Sequence, residues 1–239
     1  MKIIVFNGSP KAENGNTHSM VEIFLAGASD AGAEVENIFL AHKNINHCTS
    51  CGSCAVNTPG KCVINDDMAE LLEKFQSCDI AVFATPLYVD NVSGMMKVFM
   101  DRMIPLLEPV IIKDQNGESV HPMRGKVPKI GVISNCGYPE QSHFQVLRLL
   151  FKRVARNMNS EVVFEIYRGA GAVLSSSSIL IKMMVSKYKK LLKRAGWEIA
   201  DTGKLSNETI GELEKPLFPP EVYIKEANKY FEKLKAKKK

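Results

Sequence analysis

The chain has 239 residues, 45% of them hydrophobic and 24% charged, with a net charge of +5 to which five lysines among the last seven residues contribute. These proportions are typical of a soluble globular protein with one sizeable α/β domain, and no apolar run approaches the length of a membrane span. Because the chain enters a predicted strand without a signal-peptide pattern, and aromatic residues do not interleave with basic ones, we expect a cytoplasmic protein that binds neither membranes nor nucleic acids.

Strand and helix patterns alternate along the first 167 residues. Strands that alternate with helices form a parallel sheet covered on both faces, joined by right-handed crossovers. The sequence therefore predicts an α/β fold with a doubly wound five-stranded parallel sheet, flavodoxin-like, with strand order 2-1-3-4-5. The predicted strands are residues 1–7, 34–40, 79–84, 129–134 and 160–167.

Capping signals predict where several helices begin and end. The first helix starts at about His18 and stops at Gly32. Asp67 and Glu70 have the spacing of a capping box, which predicts a helix that begins at Asp67. Ser93 is expected to cap the helix that follows the third strand.

Two segments lie outside the alternating plan. The Asn116-Gly117 dipeptide between two β-like runs predicts a hairpin insert at about 107–128. After the fifth strand a helix is predicted to end at Gly196. We therefore assign residues 1–195 to a flavodoxin-like domain and residues 196–239 to a C-terminal helical extension that packs on this domain or between subunits.

The segment between the first strand and the first helix is typical of a phosphate site. It is rich in Gly and small polar residues, and main-chain N–H groups and the helix dipole would converge there on an anion. The spacing matches neither a Walker loop nor the G-x-G-x-x-G fingerprint, so a monophosphate fits better than a triphosphate or a pyrophosphate. A turn that binds nothing is the alternative. The candidate ligands are Ser9, Lys11, Asn16, Thr17 and His18.

Two further loops follow strands at the same expected edge of the sheet, residues 85–94 and 135–139. Ligands of doubly wound sheets bind beyond the carboxyl ends of the strands. Each loop alone could be a simple turn, but three together suit a planar heteroaromatic ring with a phosphate tail, which is the shape of FMN. The candidate contacts in these two loops are Pro86, Leu87, Tyr88, Val89, Asn91, Asn135, Cys136 and Gly137.

Four of the six cysteines lie within fifteen residues after the second strand. Their spacing, Cys48-x2-Cys51-x2-Cys54-x7-Cys62, lets four thiolates surround one soft centre. An iron–sulfur cluster, free or redox-active thiols, and a zinc site are three alternatives for this segment. Disulfides are not expected in the cytoplasm.

These motifs together resemble the NAD(P)H-dependent FMN reductase group of flavodoxin-like proteins, over most of residues 1–172, and within it the iron–sulfur flavoproteins. The resemblance implies FMN on the three loops, one [4Fe–4S] cluster on the four cysteines, NAD(P)H as electron donor, and a homodimer or tetramer. It is carried by Gly8-Ser9-Pro10-Lys11, Gly15-Asn16-Thr17, Ala84-Thr85-Pro86-Leu87-Tyr88, Ser93-Gly94-Met95-Met96-Lys97, Asp101-Arg102 and Asn135-Cys136-Gly137-Tyr138-Pro139-Glu140.

The expected function is FMN-dependent electron transfer from NAD(P)H to a small molecule or a ferredoxin-like protein. The chemistry belongs to the flavin, so no side chain is predicted to be a catalytic acid or base. Three alternatives remain open on the sequence. The chain could be an electron carrier that docks a ferredoxin-like partner without NAD(P)H turnover, an FMN reductase without a cluster, or a zinc-stabilised flavodoxin fold with a structural or regulatory role.

Overall fold

A computed structural model of the chain describes residues 1–175 and 179–236. The residues outside these ranges include the last three lysines of the C-terminal tail. The strands are β1 (Lys2–Asn7), β2 (Glu34–Phe39), β3 (Ile80–Pro86), β4 (Ile112–Lys113), β5 (Ser119–Val120), β6 (Lys129–Asn135) and β7 (Val162–Arg168). The helices are α1 (Asn16–Asp30), α2 (Met68–Ser77), α3 (Gly94–Asp101), α4 (Gln145–Asn157), α5 (Ile179–Thr202), α6 (Asn207–Glu214) and α7 (Pro220–Ala236).

The main sheet has the predicted topology. Its five strands are parallel and lie in the order β2-β1-β3-β6-β7, which is the predicted order 2-1-3-4-5 once the hairpin strands β4 and β5 are set aside. Every residue of the central strand β3 is buried, as expected for a strand covered by helices on both faces. Phe6 and Phe83 lie in the core on one face, and Phe24 of α1 packs on Phe164 on the other.

The predicted hairpin insert is confirmed. Ile112 pairs with Val120 in the antiparallel ladder of β4 and β5, and Gly117 in the turn has a φ of +75°, a conformation that favours glycine. Across residues 1–175 and 179–236, none of the helices is both long and apolar enough to cross a membrane.

The hydrogen bonds of the two aspartates before α2 are not those of the predicted capping box. Asp67 is the N-cap residue, but its carboxylate accepts the main-chain N–H of Asn44 at 2.7 Å. The neighbouring Asp66 accepts the N–H of Met68 at the start of the helix, at 3.1 Å. The side chain of Asp66 therefore caps the helix. That of Asp67 instead binds Asn44, and so joins the two ends of the segment that carries the four cysteines. The prediction for Ser93 is confirmed, since its hydroxyl oxygen accepts the N–H of Met96.

The prediction that a helix ends at Gly196 is wrong. Helix α5 continues to Thr202, so the proposed division between residues 195 and 196 falls inside it. A Cβ atom placed on Gly196 would lie 1.8 Å from the carbonyl oxygen of Phe24, and one placed on Gly27 would lie 1.8 Å from that of Lys193. The two glycines therefore mark a close crossing of α1 and α5 and not a helix terminus.

Candidate functional site

The loop between β1 and α1 is fixed by its own hydrogen bonds. The side-chain oxygen of Asn7 accepts the main-chain N–H of Ser9 at 3.1 Å, and the buried Ser9 hydroxyl accepts that of Lys11 at 3.4 Å. The N-cap residue of α1 is Gly15, which has no side chain to accept the first N–H groups of the helix. The positive end of α1 therefore faces this loop and can receive an anion.

The three predicted loops meet at the carboxyl edge of the sheet. The side-chain amide of Asn135 donates to the Thr17 hydroxyl at 2.8 Å, which joins the third loop to the start of α1. The carbonyl oxygen of Asn135 accepts the main-chain N–H of Leu87 at 2.9 Å, which joins the third loop to the second. All three residues lie at the edge where doubly wound sheets bind their ligands.

A cavity of about 180 Å³ opens where these loops meet. Pockets that enclose a whole small-molecule ligand usually exceed about 300 Å³, so this one can enclose only part of a nucleotide-sized molecule. Ten predicted residues line it, namely Ser9, Lys11, Asn16, Thr17, Pro86, Leu87, Tyr88, Asn135, Cys136 and Gly137.

Three predicted residues do not line this cavity. The ring of His18 packs edge-on against Phe39 of β2, with 5.0 Å between the ring centres. Val89 is 97% exposed at the tip of a tight turn, and the side chain of Asn91 accepts the N–H of the following residue within the same turn. Main-chain hydrogen bonds between Tyr88 and Asn91, at 2.9 and 3.1 Å, close this turn and fix the position of Tyr88.

Two residues of the cavity were not among the predicted contacts. Gly15 belongs to the first loop, where a Cβ atom would lie 2.5 Å from the Ser9 hydroxyl. Ala172 comes from the segment after β7. That segment begins Gly169-Ala-Gly171, and a Cβ atom on Gly171 would lie 2.7 Å from the side-chain oxygen of Asn135. Small residues after the fifth strand were the available signal for a fourth loop at this edge.

The four clustered cysteines line a second cavity, of about 150 Å³. Cys48 and Cys51 are exposed, and Cys54 and Cys62 are partly buried. Burial, followed by the neighbouring Cys62 sulfur, raises the pKa of the Cys54 thiol. The main-chain N–H of Ser50, a residue with a left-handed φ of +54°, donates to the Cys48 sulfur at 3.4 Å.

Arg102 and Asp66 form a buried ion pair at the wall of the cysteine cavity. Their closest side-chain atoms are 2.6 Å apart, and the side chains are 1% and 0% exposed. Burial opposes ionisation of Asp66, but hydrogen bonds from Arg102, Asn46 and Met68 outweigh it and lower the pKa of the carboxyl to about 2. Nη2 of Arg102 also donates to the Cys62 sulfur at 3.4 Å.

The donor set of this cavity suits a thiolate-bound iron–sulfur centre. Soft sulfur ligands select such centres, and N–H groups that donate to the sulfurs, as at Cys48 and Cys62, are a regular feature around them. In the described ranges, no set of three or more His, Cys, Asp or Glu side chains is arranged to hold a metal ion.

Helix α3 connects the two cavities. At its N-terminus, the hydroxyl of Ser93 donates to the carbonyl oxygen of Gly8 in the first loop at 2.5 Å. At its C-terminus, Arg102 is the C-cap residue and lines the cysteine cavity. Eight helical residues span about 12 Å, so α3 links the first loop to the wall of the cysteine cavity over that distance.

Comparisons with known proteins place the chain in a family. Residues 1–165 match the family described as NADPH-dependent FMN reductase. An iron-sulfur flavoprotein of Archaeoglobus fulgidus is 38% identical over 120 residues, which are 50% of this chain and 53% of that protein. One of Methanocaldococcus jannaschii is 38% identical over 120 residues, 50% of this chain and 61% of the relative. The matches thus span between about half and three fifths of these relatives.

Two solved structures share the fold. An NAD(P)H:quinone oxidoreductase from Methanothermobacter marburgensis has a TM-score of 0.61 and 15% identity, covering 83% of this chain and 96% of that chain. An FMN-dependent NADH-azoreductase from Bacillus anthracis, in complex with FMN, has a TM-score of 0.60 and 16% identity, covering 84% and 100%. With the family match over residues 1–165 of 239, the chain belongs to the NADPH-dependent FMN reductase family.

Proposed function

We propose that this protein is an FMN-dependent oxidoreductase that accepts electrons from NAD(P)H, with a [4Fe–4S] cluster on Cys48, Cys51, Cys54 and Cys62. The observation that carries the proposal is the convergence of three loops on the open N-terminus of α1. The hydrogen bond between Asn135 and Thr17 holds two of these loops together. Family membership and the iron–sulfur flavoproteins among the relatives support it.

The first loop would hold the phosphate. The side chains of Ser9, Asn16 and Thr17 offer hydrogen-bond donors, and Lys11 offers a positive charge. His18 would contribute through its main-chain N–H in the first turn of α1, since its ring packs on Phe39. The volume of about 180 Å³ suits the phosphate end of FMN, with the ring in the open part of the site.

The second and third loops would position the ring. Bound FMN would accept hydride from the nicotinamide and pass the electrons on. Pro86, Leu87 and the half-exposed Tyr88 present an apolar surface to one side of the site, and the turn through Val89 and Asn91 holds Tyr88 in place. Polar groups of the third loop, from Asn135 to Gly137, would face the polar rim of the ring.

The electron acceptor would be a small molecule or a ferredoxin-like protein, and we expect a homodimer or tetramer. A carrier that accepts electrons only from a protein partner is the competing function. The two differ in their response to the nicotinamide. Rapid bleaching of the flavin by NADH or NADPH supports the oxidoreductase, whereas bleaching only by a reduced protein partner supports the carrier.

The phosphate assignment is tested by FMN binding to the double variant Asn16→Ala/Thr17→Ala. Loss of two donors to a charged phosphate should weaken binding by roughly tenfold or more. Asn14→Ala changes an exposed residue of the same loop that does not line the cavity, and it should bind FMN like the wild type. Equal FMN affinity in all three proteins would contradict the assignment.

A further inference from the structure

We propose that Arg102 is a positioning residue that raises the reduction potential of the centre held by the four cysteines, through its hydrogen bond to Cys62. The inference rests on the proposed function, because it requires a redox centre in the cysteine cavity. It assigns a role to a buried charge that lies outside the flavin site.

The geometry directs the guanidinium of Arg102 at one cysteine. The side chain is 1% exposed, and Nη2 lies 3.4 Å from the Cys62 sulfur. Nη1 donates to Asp66 and to the carbonyl oxygen of Asn46, at 2.6 Å in each case. Four hydrogen bonds, including a second one to Asp66 from Nη2 at 3.0 Å, fix the orientation of the planar group.

The ion pair with Asp66 does not fully neutralise the positive charge of the Arg102 guanidinium. The Asp66 carboxylate also accepts two N–H groups of Asn46 and the main-chain N–H of Met68, so its negative charge is shared among several donors. Nε of Arg102, by contrast, is buried without a hydrogen-bond partner in the described part of the chain. The guanidinium stays charged, and its Nη2 N–H remains a charge-assisted donor to the Cys62 sulfur.

Such a group favours the reduced state of the centre. Reduction adds one electron and so one negative charge to the centre and its sulfur ligands. An N–H donor and a buried positive charge next to a ligand sulfur stabilise that added charge and raise the reduction potential. Arg102 is the C-cap of α3, and Ser93 at the other end of this helix donates to Gly8 in the first flavin loop, so one short helix links Arg102 to the flavin site.

The exposed Lys97 provides a matched control on the same helix. It carries the same charge, pairs with Asp101 at 2.5 Å, and its side chain is 54% exposed, so solvent screens it. Lys97→Gln removes one positive charge from α3 without removing a contact to a cysteine. Arg102→Gln removes one positive charge and the donor to Cys62, while the three other hydrogen bonds to Asp66 remain.

The experiment is a redox titration of the anaerobically reconstituted proteins, followed by the electron paramagnetic resonance signal of the reduced centre. Iron and sulfide contents are measured first. Arg102→Gln should lower the midpoint potential by at least 59 mV, which is a tenfold change in the equilibrium constant of a one-electron couple. Lys97→Gln leaves the half-exposed Asp101 unpaired at the edge of the cavity, where solvent screens it, so it should shift the potential much less than Arg102→Gln does. Arg102→Lys, which keeps the charge, should also shift it less than Arg102→Gln.

Each other outcome overturns a defined part of the account. An unchanged potential in Arg102→Gln, with iron and sulfide at wild-type content, overturns the role of Arg102 and leaves the proposed function intact. Loss of iron from both Arg102→Gln and Arg102→Lys would show that the residue only supports the loop, which also overturns the proposal. Absence of iron and sulfide from the wild type overturns the cluster and the role of Arg102 together.

Discussion

The variant Gly196→Ala tests whether α1 and α5 cross closely at this residue, because a close crossing should reverse the stabilisation that Gly→Ala normally gives in a helix. In a free helix interior, Gly→Ala stabilises by about 1 kcal/mol. At Gly196 the new Cβ would lie 1.8 Å from the Phe24 carbonyl oxygen, and ordinary contact begins at 3.4 Å, so the helices must separate by about 1.6 Å. Overpacking typically costs about 1–3 kcal/mol and sometimes more, and a gap of even 1 Å weakens dispersion contacts substantially.

The blocking atom is a main-chain oxygen, so a change of side-chain rotamer cannot relieve the contact. We therefore expect Gly196→Ala to lower the free energy of unfolding by about 2 kcal/mol, the upper part of the overpacking range less the gain in helix propensity. Gly211 in α6 has open space around it and is the matched control. Gly211→Ala should raise the free energy of unfolding by about 0.5–1 kcal/mol.

Urea unfolding followed by circular dichroism measures both changes. Gly196→Ala should also weaken FMN binding, because a shift of α1 displaces Thr17 and the open helix terminus. If Gly196→Ala stabilised the protein as much as Gly211→Ala, the close helix crossing and the reasoning built on it would be wrong.

Two further predictions concern the thiols and acid stability. In iron-free native protein at about pH 8, a thiol reagent should modify the four cysteines of the cavity and spare Cys78, because burial raises its pKa to about 12; equal rates at Cys78 would contradict its burial. Asp66→Asn should lower the free energy of unfolding by about 2 kcal/mol at neutral pH, since the carboxyl pKa falls from 3.8 to about 2 on folding. A lowered pKa stabilises the fold above the unfolded value, so this difference should shrink between about pH 4 and pH 2 in urea titrations, and a constant difference would contradict it.

Local signals in the sequence predicted local structure well. The parallel sheet follows from alternating strands and helices, and the Ser93 cap depends only on residues within one helical turn. The direction of the His18 ring could not be predicted, because it depends on Phe39 in a different strand. The local sequence around Gly196 predicts a helix end, because only the distant Phe24 carbonyl reveals the helix crossing.

The features that the sequence did not predict depend on contacts between distant segments. Asp66 and Asp67 are the same residue type, so the sequence does not show which of them caps the helix. Asp67 binds Asn44, 23 residues before it, and Asp66 binds Arg102, 36 residues after it. Arg102 is separated from Cys62 by 40 residues, so no motif in the sequence shows their hydrogen bond.

The central claim is that FMN and an iron–sulfur centre occupy the two cavities joined by α3. Its most direct test is the visible absorption spectrum of protein purified without oxygen, with iron and sulfide measured after acid release. The account predicts a two-banded flavin spectrum on a broad brown shoulder, with iron and sulfide in the released fraction. A clean flavin spectrum without iron would contradict the cluster, and a colourless protein that takes up no added FMN would contradict the proposed function itself.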